Sequence, residues 1–170
     1  MTTTTLVIRP ARLADCVGIA TVHDAAWRES YRGIIEGKTL EKMISSRGPA
    51  WWATNLGRRN AISVLDFAGS IAGYVSFGRS RSRSELYPSQ IFELYLKPEY
   101  QGLGFGRRLF DAARQSMSEG RPTSVPLIVW ALAENERADG FYRHLGGREL
   151  GRRSEQIGPD IYETIGYGFR

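Results

Sequence analysis

The chain has 170 residues and a net charge of +5, and it is 42% hydrophobic and 24% charged, as expected of one globular domain over residues 1–170 with a full core. No apolar run nears the roughly 18 residues of a membrane span, and Cys16, the sole cysteine, excludes an internal disulfide and a cysteine-based zinc cluster. The opening MTTTTLVIRPARL lacks a charged segment followed by an apolar one, so it does not read as a secretory signal, and the expected location is the cytoplasm.

TTLVIRPA predicts a short β-branched strand. Asp15 falls in the first turn of the helix that follows, where a carboxylate suits the positive end of the dipole. Leu13, Val17, Ala20, Trp27 and Tyr31 recur at helical spacing. Gly33 and Gly37 break that pattern, and a second helical stretch runs from about Leu40 to Asn55, with Trp51 and Trp52 in it. From Asn60 the period becomes that of strands. AISVLDF, a turn at Ala68-Gly69-Ser70 and IAGYVSF make a hairpin. RSRSRS, from Arg79 to Ser84, reads as a solvated loop.

QIFELYLKP is the next strand, ended by Pro98. Alternation along it sets Ile91, Glu93 and Tyr95 on one face and Phe92, Leu94 and Leu96 on the other. Leu109, Phe110, Ala113 and Met117 mark an amphipathic helix closed by Gly120 and Pro122. PLIVWALA reads as a buried strand. Phe141, Tyr142 and Leu145 sit on a short helix that ends at Gly146-Gly147, and two more strands follow. The order β-α-α-β-β-β-α-β-α-β-β predicts a mixed α/β fold with one central sheet. The strand–helix–strand unit from Phe92 to Leu132 is expected to be parallel and right-handed.

The segment YQGLGFGRR places Gly102, Gly104 and Gly106 at every second position before a helix. A helix N-terminus leaves N–H groups without partners, and glycines let the backbone approach a ligand closely. The amides near Leu103 to Arg107 are therefore expected to wrap a phosphate or pyrophosphate, with Arg107 and Arg108 adding charge. A Walker A loop needs a lysine that is absent here. A dinucleotide fingerprint needs Gly-x-Gly-x-x-Gly, whereas this stretch reads Gly-x-Gly-x-Gly. The arginines are scattered along the chain with no aromatic-basic platform, so no nucleic-acid partner is expected. His23 and His144 have no cysteine or acid at metal spacing and read as surface or helix-packing residues.

Gln101-Gly102-Leu103-Gly104-Phe105-Gly106, preceded by Leu94-Tyr95-Leu96-Lys97-Pro98, resembles motif A of the GNAT superfamily of N-acetyltransferases. NERADGFYRHLGG, from Asn135 to Gly147, is similar to the family's Asn-x-x-Ala-x-x-Phe-Tyr-x-x-x-Gly block. The two blocks stand in the family's order, with one helix and one strand between them. The resemblance covers nearly the whole chain.

The resemblance implies an acyl-CoA N-acyltransferase fold: a central mixed sheet flanked by helices, with two parallel strands splayed around acetyl-CoA. Those strands would contain residues 92–96 and 127–132. Main-chain groups of Leu94, Tyr95 and Leu96 would line the pantetheine arm. Gln101, Gly102, Leu103, Gly104, Phe105, Gly106 and Arg107 would hold the pyrophosphate, and Asn135 would contact the cofactor. Tyr142 matches the tyrosine beside the CoA sulfur, the general acid for the leaving thiolate. Its alternative is a packed aromatic. Glu93 is the candidate general base, with an ion-paired strand residue as its alternative. The Leu96 N–H is the implied donor to the carbonyl oxygen. Trp27, Glu29 and Tyr31 are candidates for lining the acceptor pocket. The implied activity moves acetyl to a primary amine, with a small metabolite or xenobiotic preferred as acceptor. A catalytically silent acyl-CoA-binding module, a protein N-terminal or lysine acetyltransferase and an RNA-binding protein are the alternatives. A homodimer is compatible with the family, although no local motif specifies one.

Overall fold

The structure is a computed structural model that describes residues 5–58, 60–82 and 84–170. The start of the expected first strand at Thr4, the residues before it, and Arg83 of the basic run lie outside the described residues. The elements are β1 (Leu6–Pro10), α1 (Cys16–Tyr31), α2 (Gly37–Ser45), α3 (Pro49–Asn55), β2 (Ala61–Phe67), β3 (Ser70–Arg79) and β4 (Ser89–Leu96). They continue as α4 (Phe105–Met117), β5 (Leu127–Leu132), α5 (Glu136–His144), β6 (Arg148–Ile157) and β7 (Asp160–Phe169). The seven strands form one sheet in the order β1-β2-β3-β4-β5-β7-β6. The β4–β5 pair is parallel, and the remaining neighbours run antiparallel. This is the mixed sheet that the order of elements predicts.

Strand alternation divides the core between the two faces. Leu65 and Val75 join a cluster with Leu109, Phe110 and Ala113 of α4 and Tyr142 of α5. Val64 and Tyr74 turn the other way, onto Ile19 and Val22 of α1 and Trp52 of α3. Leu109, Phe110 and Ala113 lie at helical spacing along α4, as the sequence predicts.

Four local expectations are corrected. The helix expected from Leu40 to Asn55 is two helices, because Gly48 precedes Pro49, and that proline starts α3 with a preset φ. Leu13 and Val17 stand 69% and 64% exposed. The buried stripe of α1 instead begins at Cys16 and runs through Ile19, Ala20, His23, Ala26 and Trp27, since a 3-10 turn at Leu13–Asp15 resets the helical phase ahead of it. Asp15 serves an ion pair rather than the dipole. Its carboxylate takes both guanidinium nitrogens of Arg9, at 2.7 and 2.9 Å, and the Arg12 N–H at 2.7 Å. Finally, β4 does not alternate regularly. Ser76 pairs with Glu93 and Phe77 with Ile91, which leaves Phe92 as a bulge. Ile91 therefore shares the α4-side cluster with Leu94 and Leu96 instead of lying beside Glu93 and Tyr95.

Candidate active site

The bulge sits where β4 leaves β5. Their parallel ladder ends at the pair Ile91 and Val129, and a bulge bends the strand that carries it. Beyond that pair the two strands part. The Lys97 N–H donates to the Ala72 carbonyl of β3 at 2.9 Å. Alternation then turns the main-chain groups of Leu94 and Leu96 away from β3 and into the gap. The side-chain amide of Gln101 donates to the Leu96 carbonyl at 3.2 Å.

At the end of the gap lies the N-terminus of α4. Gly102 and Gly104 have φ of 74° and 81°, left-handed values that a residue with a Cβ adopts at a cost. A Cβ at either position would meet no atom within 4 Å, so both glycines border open space. The first ladder bond of the helix runs from the Arg108 N–H to the Gly104 carbonyl at 3.3 Å. The amides of residues 103–107 have no hydrogen-bond acceptor among the described residues. Gly106 has a different task. A Cβ there would stand 2.9 Å from the Phe141 ring, so its absence lets α4 press against α5.

A cavity of about 470 Å³ follows this gap, lined by Leu94, Tyr95, Leu96, Gln101, Gly102, Gly104, Gly106, Arg107, Asn135 and Tyr142. Leu103 is 61% exposed, and Phe105 turns its ring onto Phe67 and Tyr100. Neither residue lines the cavity. Asn135 caps α5, its Oδ1 accepting the Ala138 N–H at 3.1 Å, which leaves its amide nitrogen for a ligand.

Tyr142 is 7% exposed, with its ring centroid 5.5 Å from that of Tyr167. The Tyr167 hydroxyl donates to Asp139 at 2.6 Å. The Tyr142 hydroxyl, by contrast, has no hydrogen-bond partner among the described residues. Burial pushes this phenol well above its ordinary pKa, so it keeps its proton at neutral pH.

A second cavity, of about 560 Å³, lies between the β4 face and α1–α3. It shares Tyr31, Phe92, Glu93, Tyr95, Trp130 and Ala131 with the first. Glu93 thus stands at the junction. Its Oε1 accepts from Arg47 at 2.5 Å, and its Oε2 accepts from the Tyr74 hydroxyl at 2.6 Å. The Arg47 guanidinium lies over Trp51 and Trp27, 4.8 and 5.6 Å from their ring centroids. Tyr31 and Tyr95 join hydroxyls at 2.6 Å, and burial pushes the Tyr31 phenol up to about 12.

Of the residues expected to line the acceptor pocket, Trp27 and Tyr31 line the second cavity. Glu29 lines neither cavity; it pairs with Arg137 at 3.6 Å, beside the first. His144 borders the first cavity. His23 lies fully buried behind Trp27 and Trp52. Among the described residues no group of three or more His, Cys, Asp or Glu could hold a metal ion. Sequence reading missed Arg47, Arg81, Trp130 and Arg153 as cavity residues, and Tyr74 as the partner of Glu93. Arg47 and Tyr74 reach Glu93 from 46 and 19 positions away, with no local motif to mark them.

A mixed sheet parted at its parallel pair, with bare amides at the head of the gap, defines the acyl-CoA N-acyltransferase fold. Residues 58–146 match the family described as "Acetyltransferase (GNAT) domain". An N-acetyltransferase of Bacillus subtilis is 29% identical over 164 residues, 96% of this chain and 92% of that protein. An L-amino acid N-acyltransferase of Escherichia coli is 32% identical over 140 residues, 82% of this chain and 77% of that protein. The crystal structure of a PaiA N-acetyltransferase from Thermoplasma acidophilum, in complex with coenzyme A, superposes with a TM-score of 0.71 at 17% identity. That match covers 95% of this chain and 98% of the other. The chain belongs to the GNAT acetyltransferase family, and it is an N-acetyltransferase that uses acetyl-CoA. The first cavity fits that donor: it offers unpaired amides for a diphosphate, an open strand edge for an amide-bearing arm and a free phenol beside them. Among the described residues no helix is long and apolar enough to cross a membrane.

Proposed function

We propose that the enzyme acetylates a primary amine on a small molecule by direct transfer, with donor and acceptor bound together. The observation that carries this reading is the meeting of the two cavities where β4 and β5 part. Acetyl-CoA supplies an activated acetyl thioester. The amides of residues 103–107, with Gln101, Gly102, Gly104 and Arg107, hold its diphosphate. The main chain of Leu94 and Leu96 aligns its pantetheine arm, Tyr95 walls the opposite side, and the Asn135 amide steadies it. In the net reaction a nitrogen–carbon bond forms and the carbon–sulfur bond breaks. One proton leaves the amine and one reaches the sulfur.

Tyr142 gives the proton to the sulfur, because its hydroxyl is protonated, unpartnered and on the donor side. Glu93 takes the proton from the amine, directly or through a water, because among the described residues it alone carries a carboxylate that borders both cavities. The Leu96 N–H steadies the carbonyl oxygen. A cavity of about 560 Å³ suits a small acceptor. The name of the Escherichia coli relative, an L-amino acid N-acyltransferase, points to the same size class.

The test is a panel of amines assayed by release of free CoA, with paired variants. Tyr142→Phe and Glu93→Gln should each lower kcat about a hundredfold while the KM for acetyl-CoA stays within about twofold of wild type. Unaltered turnover in either variant removes that residue from the mechanism. Acetyl-CoA binding with no CoA release across the panel would instead favour a catalytically silent binding module.

A further inference from the structure

The second cavity carries charge that the transfer chemistry does not use. Arg81, in the loop after β3, lies with its guanidinium 4.4 Å from the Phe92 ring centroid. Arg153, on β6, lies 4.0 Å from that of Trp130. Phe92 and Trp130 are the first residues beyond the last β4–β5 pair, and each lines both cavities. Each guanidinium therefore overhangs a ring at the junction. Among the described residues neither makes an ion pair, whereas Arg152 beside them pairs with both Glu149 and Glu163.

Trp27, Trp52 and Trp130 also line this cavity. The cavity also holds Glu155, which makes no ion pair among the described residues, and the Glu93–Arg47 pair, which neutralises itself. Elsewhere its wall mixes aromatic and aliphatic side chains, including Trp51, Ile62 and Met43, with the polar side chains of Asn55, Asn60, Gln90 and Gln156.

Two free cations, one free carboxylate and a group of aromatic rings suit a zwitterion with a bulky apolar body. Resting on the acetyltransferase reading above, we infer that the acceptor is an α-amino acid with a large apolar side chain. Its carboxylate is held by Arg81 and Arg153, its ammonium faces the free carboxylate of Glu155, and its side chain lies among the tryptophans. Arginine forks match a planar carboxylate and stack on aromatic faces, a combination that lysine does not offer.

The test uses matched probes with the intact enzyme and acetyl-CoA: L-phenylalanine, L-phenylalaninamide and 2-phenylethylamine, then the L-methionine trio of acid, amide and decarboxylated amine. Each carboxylate should exceed its amide and its decarboxylated partner in kcat/KM by at least about tenfold. Arg81→Gln and Arg153→Gln should each raise the KM for the amino acid about tenfold with kcat little altered, and so bring the acid-to-amide ratio toward unity. Acetyl-CoA binding by calorimetry is measured on every variant to confirm an intact donor site. Equal or better turnover of the amides or amines overturns the inference and leaves the acetyltransferase reading standing. No turnover of any probe by an enzyme that binds acetyl-CoA also overturns it. Absence of acetyl-CoA binding in the wild type refutes the broader reading instead.

Discussion

His23 is fully buried against Trp27 and Trp52, with neither ring nitrogen hydrogen-bonded. Burial, aided by the Arg47 charge, lowers its pKa from 6.5 to about 3. The folded state thus keeps the ring neutral while the unfolded chain protonates it below 6.5, so stability falls as pH drops from 6.5 toward 3. The slope attributable to His23 is at most about 1.4 kcal/mol per pH unit. His23→Leu should remove most of it, read as urea midpoints between pH 7 and pH 4. An unchanged slope in the variant would show that His23 is not its source. Asp15 acts in a lower window. Its hydrogen bond with Arg9 depresses its pKa below 3.8, so that contribution is complete above 3.8 and is lost as pH falls through the depressed value. The two residues therefore separate along one titration.

The turn between β4 and α4 was legible because its causes are local. Alternate glycines before an amphipathic run specify a bare helix N-terminus, and the structure puts left-handed backbone at Gly102 and Gly104. The third glycine, Gly106, lines the same cavity and also meets Phe141, 35 positions onward in sequence. Such a contact exists only once α4 and α5 share a face. Gly106→Ala should cost about 1–3 kcal/mol through that overlap. Phe141→Leu in the same chain should recover part of the loss, measured as thermal midpoints in a double-mutant cycle. Purely additive losses would deny the contact. The bulge at Phe92 was illegible for a related reason. QIFELYL has apolar residues side by side, so it fixes no alternation of its own, and only its register against β3 reveals the extra residue. The break between α2 and α3, by contrast, was written in Gly48-Pro49. The ion pair of Arg47 with Glu93 joins a helix link to a mid-sheet strand, a proximity that no spacing rule supplies.

At the level of the whole molecule, the sheet is divided into two working surfaces by the point where its parallel strands part. The first cavity, where we propose the donor lies, is built by main chain and α5, and its residues cluster in two short motifs, so the sequence exposes it. The second, proposed for the acceptor, is assembled from α1, the α2–α3 link, the loop after β3 and β6. Trp27 and Tyr31 were readable there, while Arg81 and Arg153 come from segments that carry no motif. The account rests on one claim: the donor lies in the gap, with its diphosphate on the α4 amides and its arm along β4. A crystal structure of the enzyme soaked with coenzyme A tests this most directly. The account predicts diphosphate oxygens within about 3 Å of the amides of residues 103–107, the arm alongside Leu94 and Leu96, and the sulfur beside the Tyr142 hydroxyl. Coenzyme A seated elsewhere, or a gap between β4 and β5 that stays empty at saturating ligand, would contradict it.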